Sequence, residues 1–360
     1  MNKRYLTLYH ALGALLLIAF CGCQRPELWV STEEFKQVEL APDWSKCNAE
    51  PGGMTAFFFR NDGAFYRHTT ADIHLTTLGL PRGDYQGVVF SYSPEEYGRM
   101  TFTGLERSRT AAVKVLPLAE QPSADEDLYG INSTGEFYIP TVEGTGMHEV
   151  SCLPEDIDTD TLANMSIVTG TDGDFIPYKD RDSYRNSLVT QRFSCTPVSP
   201  LWDLRIVIYI KGINYLYNVK GTVVGLADGY RLIDAAPTSQ TCMQQTGMWE
   251  VKILDDNTGY IATTMSTFGL PVADATRSDG ELPLRLNLQI MLRDEETLLN
   301  YHYDIGPYVA TIEANQELRV TLGTDFDNHP DLPYVDAKGS AGFGVDVTPW
   351  EEGKPVDIKM

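Results

Sequence analysis

The chain has 360 residues, with 28 Lys+Arg against 50 Asp+Glu and a formal charge of −22. A nucleic-acid partner needs clustered cations to neutralise phosphates, so this balance excludes nucleic-acid binding. At 42% apolar and 22% charged residues the composition is that of a folded chain, and 20 prolines, 30 glycines and 19 tyrosines favour short strands and turns over long helices. At about 150 residues per domain, two domains are expected, each able to bury a core.

The N-terminus carries Lys3 and Arg4, an apolar run from about Ala11 to Phe20, and then Cys21-Gly22-Cys23. A basic start, an apolar stretch short for a bilayer span and small residues near a cleavage point predict a secretory signal peptide. Ala19-Phe20-Cys21-Gly22-Cys23 resembles a bacterial lipobox, with Phe20 where that pattern prefers Leu. Cys23 is the expected lipidation site. Cys21 fits worse, because bulky Phe20 would then occupy a cleavage position that demands a small residue. The bland alternative is an ordinary cleaved signal with two incidental cysteines. Residues 1–22 are therefore expected to be removed and 23–33 to form a lipidated tether holding the protein on a membrane. Losing Lys3 and Arg4, and no acid, moves the charge from −22 to −24.

Strand signals follow in chain order. Phe35 to Leu40 alternates weakly, and Met54 to Phe59 is a compact apolar run. Asn61-Asp62-Gly63 and then Phe65-Tyr66 complete a hairpin signature. Tyr85 to Ser93, Met100 to Leu105 and Ala111 to Leu118 continue the pattern. From about Ala119 to Gln191 the texture turns acidic and turn-rich, with one strand expected at Phe137 to Ile139 and another at Met147 to Cys152. Past a boundary near Ser194, Leu204, Ile206, Ile208 and Ile210 alternate with Arg205, Val207 and Tyr209. Trp249 to Ile253, the Asp255-to-Gly259 turn and Tyr260 to Phe268 form a second hairpin. Leu282 to Leu292 gives a six-member period-two face, the signature of an antiparallel sheet with one buried face. Leu318-Val320-Leu322 and Phe343-Val345-Val347 close the set. The fold class is all-β: two tandem β-sandwiches, over 34–193 (with long acidic loops) and 194–360.

Chemistry is sparse. None of the six histidines forms a close ligand pair, and neither a nucleophile elbow nor a phosphate loop occurs, so no catalytic residue, metal site or cofactor is assigned. Asp156, Asp158 and Asp160 suggest calcium. Thr161 then stands where a calcium loop needs Gly and Ile167 where it needs Glu, so a solvated acidic loop is expected. Cys47, Cys152, Cys195 and Cys242 form no C-x-x-C, and an exported compartment permits disulfides among them. The three connectivities stay open; pairing within each half would join Cys47 to Cys152 and Cys195 to Cys242, and free, buried cysteines are the equal alternative. Tyr301 with Tyr303, and Tyr215 with Tyr217, share strand faces and suit either core packing or glycan stacking. Arg82-Gly83-Asp84 spells an integrin-recognition tripeptide. Within Leu80-Pro81-Arg82-Gly83-Asp84-Tyr85 it reads instead as the L-P-x-G-x-Y turn that opens strands in transthyretin-like sandwiches.

Several segments carry a resemblance in order. Val38 to Gly63 with Trp44, the L-P-x-G-x-Y turn, Val219 to Tyr230, Thr267-Phe268-Gly269-Leu270 and Phe343 to Trp350 together resemble Bacteroidetes fimbrillin-like lipoproteins. The resemblance implies two transthyretin-like β-sandwiches. For the better-known members it also implies a lipid-anchored outer-membrane place at the base of a fimbria, with fimbrial subunits as partners joined by β-strand complementation. In polymerising relatives a protease removes an N-terminal strand; here that strand follows the tether directly, which favours an uncut terminal subunit. Asp160-Thr161-Leu162 also resembles the O-glycosylation sequence of these bacteria. The rival expectation is a surface glycan-binding lipoprotein of a nutrient-uptake system.

Overall fold

The computed structural model describes residues 35–118, 136–141, 144–167, 191–272, 284–324 and 330–338. The signal peptide, the tether, Cys23, Leu282 and the strand expected at Phe343 to Val347 lie outside them. Regular structure among the described residues is β apart from short 3-10 turns. In the first half the strands are β1 (Phe35–Pro42), β2 (Met54–Arg60), β3 (Phe65–Thr70), β4 (Thr76–Pro81), β5 (Gly83–Ser91), β6 (Met100–Thr103), β7 (Ala112–Val115), β8 (Glu136–Thr141), β9 (Gly144–Glu149), β10 (Thr159–Ile167) and β11 (Gln191–Cys195). The second half follows with β12 (Trp202–Lys211), β13 (Leu216–Ala227), β14 (Gly229–Arg231), β15 (Ala236–Pro237), β16 (Thr241–Gln245), β17 (Glu250–Asp255), β18 (Thr258–Thr267), β19 (Arg285–Leu292), β20 (Leu298–Asp304), β21 (Val309–Ile312) and β22 (Glu317–Leu322).

The first sandwich packs the sheet β11-β1-β4 on the sheet β10-β5-β2-β3. Val38, Leu40, Leu78 and Leu80 from one layer meet Ala56, Phe58, Tyr85 and Val89 from the other. The L-P-x-G-x-Y turn takes the expected form. Gly83 joins β4 to β5 at φ +149, a conformation that side chains resist, and Tyr85 folds back so that its hydroxyl donates to Pro81 O at 2.7 Å. Arg82-Gly83-Asp84 is thus part of a strand junction. The Asn61-Asp62-Gly63 turn is likewise formed: Gly63 has φ +96, its N–H donates to Arg60 O, and Asp62 pairs with Arg60.

The second sandwich packs β17-β18-β12-β22-β21 on β16-β13-β19-β20. The alternation read from the sequence is the buried face: Leu204, Ile206, Ile208 and Ile210 of β12 face Leu286, Leu288, Ile290 and Leu292 of β19. The 255–259 turn closes the β17–β18 hairpin, where Gly259 is required because a Cβ there would lie 2.2 Å from Lys252 O.

Two features depart from the expectations. The acidic run was expected as a solvated loop; Asp156 and Asp158 precede the strand, with Asp156 exposed, but Asp160 lies in strand β10, which pairs antiparallel with β5. Its buried residues Leu162, Met165 and Ile167 fall at irregular spacing because the register shifts between Leu162 and Met165, which hides a simple period. Tyr215 and Tyr217 do not share a strand face. Tyr215 lies in the turn Ile213–Tyr215 and packs against Tyr334 and Arg293, whereas Tyr217 is on β13.

A further sheet, β15-β14-β7-β6, takes two strands from each half. It covers the face of β10-β5-β2-β3 that points away from the first core, through Phe57, Phe59, Val88, Phe90, Val113 and Leu232. β11 spans position 194 and pairs parallel with β1, within the first sandwich.

Candidate functional site: the rims of the second sandwich

Among the described residues no three His, Cys, Asp or Glu side chains converge as a metal site. Of the acidic triplet, Asp160 caps local backbone. Asp160 accepts from Thr196 N at 2.7 Å and Thr161 N at 2.8 Å, and burial pushes the Asp158 carboxyl above its ordinary range, opposed by a hydrogen bond from Cys47. Thr161 itself sits in β10 opposite Val88.

None of the four described cysteines is disulfide-bonded. Cys47 and Cys195 pack in the first core, with Cys47 Sγ donating to Pro197 O at 3.3 Å. Cys242 lies against the core under the mixed sheet, and Cys152 is buried. Burial is the main reason that the thiols of Cys47, Cys195 and Cys242 are each pushed up to about 12; Asp158, Asp160 and Asp228 respectively reinforce it. They are poor nucleophiles, since the thiolate is the reactive form.

Among the described residues, apolar surface is left uncovered at the sheet edges of the second half. β17 ends its sheet; Ile253 and Leu254 on it are 59% and 52% exposed, and Met248 just before it is 72% exposed. β20 ends the facing sheet. Its core-facing residues Leu299, Tyr301 and Tyr303 reach the core but remain half-buried, as does Val309 on β21, the edge of the opposite sheet. Tyr301 and Tyr303 stack at 6.3 Å with ring planes 9° apart, so they serve core packing, and burial raises both phenols. Among the described residues, the apolar side chains at the β20 and β21 edges are therefore only partly covered.

The outward face of β13-β19-β20 is polar. His302 Nδ1 lies 2.8 Å from Asn287 Oδ1, Asn287 Nδ2 donates to Thr222 Oγ1 at 3.2 Å, and Gln289 Nε2 donates to Asn300 Oδ1 at 3.1 Å. Burial lowers the His302 pKa, favouring neutral imidazole. The sequence marked Asn287 and Gln289 as the wetter face of β19. It carried no sign of their cross-strand partners, which depend on the register with β13 and β20. The β17 edge was missed altogether; the adjacent apolar pair Ile253-Leu254, breaking alternation beside an Asp-rich turn, was the available signal.

Fold and rims together define a two-sandwich all-β protein whose edge strands are incompletely covered among the described residues. Residues 22–246 match a family described as a domain of unknown function, DUF5119, and the chain belongs to that family. No curated protein matches it. Among solved structures, a candidate adhesin from Bacteroides ovatus ATCC 8483 shares the fold at 16% identity, over 84% of this chain and 93% of that one, with a TM-score of 0.51. The fimbrial anchor protein Mfa2 from Porphyromonas gingivalis aligns at 11% identity over 80% and 91%, TM-score 0.40. A candidate polysaccharide-binding protein (DUF1812) from Bacteroides thetaiotaomicron VPI-5482 aligns at 9% over 80% and 90%, TM-score 0.43. The fimbrillin-like resemblance read from the sequence agrees with the shared fold.

Proposed function

We propose that this chain is a structural protein of a fimbria-like surface assembly, held on the outer membrane by lipid on Cys23 and joined to partner subunits by strand complementation. The observation that carries the reading is the rim of the second sandwich. An edge strand that exposes apolar side chains and unpaired backbone is a template for an added strand from another chain. Half-buried Leu299, Tyr301 and Tyr303 on β20 offer such a strand an apolar floor. The N-terminal sequence supports the anchor, and the name of the Mfa2 relative is consistent with it. In-cell crosslinking and affinity capture of the full chain, followed by electron microscopy, tests the proposal. Partner chains and fibres are expected; recovery of monomer alone overturns it.

The second reading, a glycan-binding surface lipoprotein, rests on the outward row of Gln289, Asn300 and His302, whose amides and neutral imidazole suit hydroxyl groups. Reversible polysaccharide binding, abolished by Asn300→Ala with His302→Ala, would favour it over the first.

A further inference from the structure

We infer that the two sandwiches form a single cooperative unit, because each half donates backbone to a sheet of the other. The need arises in the sequence. β2 and β5 are apolar on both faces, so the first sandwich alone would leave Phe57, Phe59, Val88 and Phe90 on an uncovered surface. Its own cover, the β6–β7 hairpin, has four residues per strand, and an isolated two-stranded hairpin is marginal in water.

The second half completes that cover. Gly229, Tyr230 and Arg231 of β14 pair with Lys114, Val113 and Ala112 of β7. The ladder is extended at both ends, by Val115 N donating to Asp228 O at 2.9 Å and Leu232 N to Ala111 O at 2.9 Å. Gly229 is required at this junction, since a Cβ would lie 2.2 Å from Val113 O. Lys114 Nζ and Asp228 Oδ2 add an ion pair at 2.7 Å. Ala227, Leu232 and Phe268, all from the second half, are fully buried in this shared core.

Donation also runs in reverse. Ser151 pairs in parallel with Gln244, extending the second sandwich's sheet beyond β16, and Ser151 N donates to Met243 O at 2.7 Å. Buried Gln244 donates to Cys152 O at 3.3 Å, and Val150 packs on Met243 and Val224. Domains that move independently are joined by exposed linkers crossed by few contacts. Here two sheet junctions and one apolar core bind the halves.

Native-state hydrogen exchange of the full chain across a denaturant series tests this, comparing peptides from β1 and β5 with peptides from β12 and β19. One midpoint shared by both sets is expected. Two separated midpoints in the wild type overturn the inference. Tyr230→Pro removes the ladder N–H opposite Val113 without touching either sandwich core; it is expected to split the transition in two. A single transition at an unchanged midpoint in that variant also overturns the inference. If the variant does not fold, the wild-type midpoints decide.

Discussion

Two sheets of similar size meet opposite fates in this molecule. The centre of the sheet β10-β5-β2-β3, strands β5 and β2, is buried on both faces, against the first core on one side and under the mixed sheet on the other. The sheet β16-β13-β19-β20 packs one face on the second core; its other face is covered at β16 and β13, where Gln244 and Thr222 are buried, and opens toward β20, where Asn300 and His302 are exposed. Their sequences differ accordingly. Met54 to Phe59 is a nearly continuous apolar run, whereas Leu284 to Leu292 alternates. A continuous run in an antiparallel sheet is thus a request for a third layer, and the chain supplies that layer from both of its halves.

The contrast yields ordered predictions. Val88→Lys places an unpaired charge where the native residue is 0% exposed, and should abolish folding as seen by circular dichroism and aggregation. Phe57→Ala should cost about 3–5 kcal/mol in denaturant titration, since Phe57 packs on Phe59, Phe65, Phe90 and Phe102. A loss below about 1 kcal/mol would mean that the mixed sheet does not seal this face.

The thiols sharpen the comparison next. Cys195 packs in the first core, and Cys242, on β16, packs against the core under the mixed sheet. Folding raises their pKa, chiefly through burial, so the unfolded chain loses these protons first. Stability from this source is complete below the unfolded value near 9 and falls as pH climbs toward 12. The slope is at most about 1.4 kcal/mol per pH unit for each thiol. Cys195→Ala with Cys242→Ala should flatten that alkaline decline; an unchanged slope would count against buried neutral thiols.

The β19-β20 end of the second sheet should respond more mildly. Asn287→Ala leaves Thr222 and His302 without their shared partner and should cost about 1–2 kcal/mol. Gln289→Lys, one strand position over the same outward face, should change stability by less than about 0.5 kcal/mol. A collapse there equal to that of Val88→Lys would erase the distinction between the two sheets.

Local features were legible because their causes are local. The turn at Gly83, the hairpin at Gly63 and the alternation of β12 and β19 each follow from a few neighbouring residues. What escaped the sequence was non-local. The parallel pairings β1 with β11 and β12 with β22 join segments more than a hundred residues apart and leave no trace in either segment's period. β14 and β15 are too short to show a pattern, and β10 is interrupted by its register shift. The rims were illegible for the same reason. Leu299, Tyr301 and Tyr303 look like core residues, and only the order of the sheets shows that they stand at an edge.

The position of β1 has a mechanical consequence. It is the central strand of its sheet, flanked by β11 in parallel and β4 in antiparallel register. A pull on the chain ahead of Phe35 runs along β1 and loads both ladders in shear, so their hydrogen bonds must yield together. An edge strand pulled across its ladder would instead unzip one bond at a time. Tension arriving from the N-terminal side therefore enters the molecule through a strand gripped from both sides.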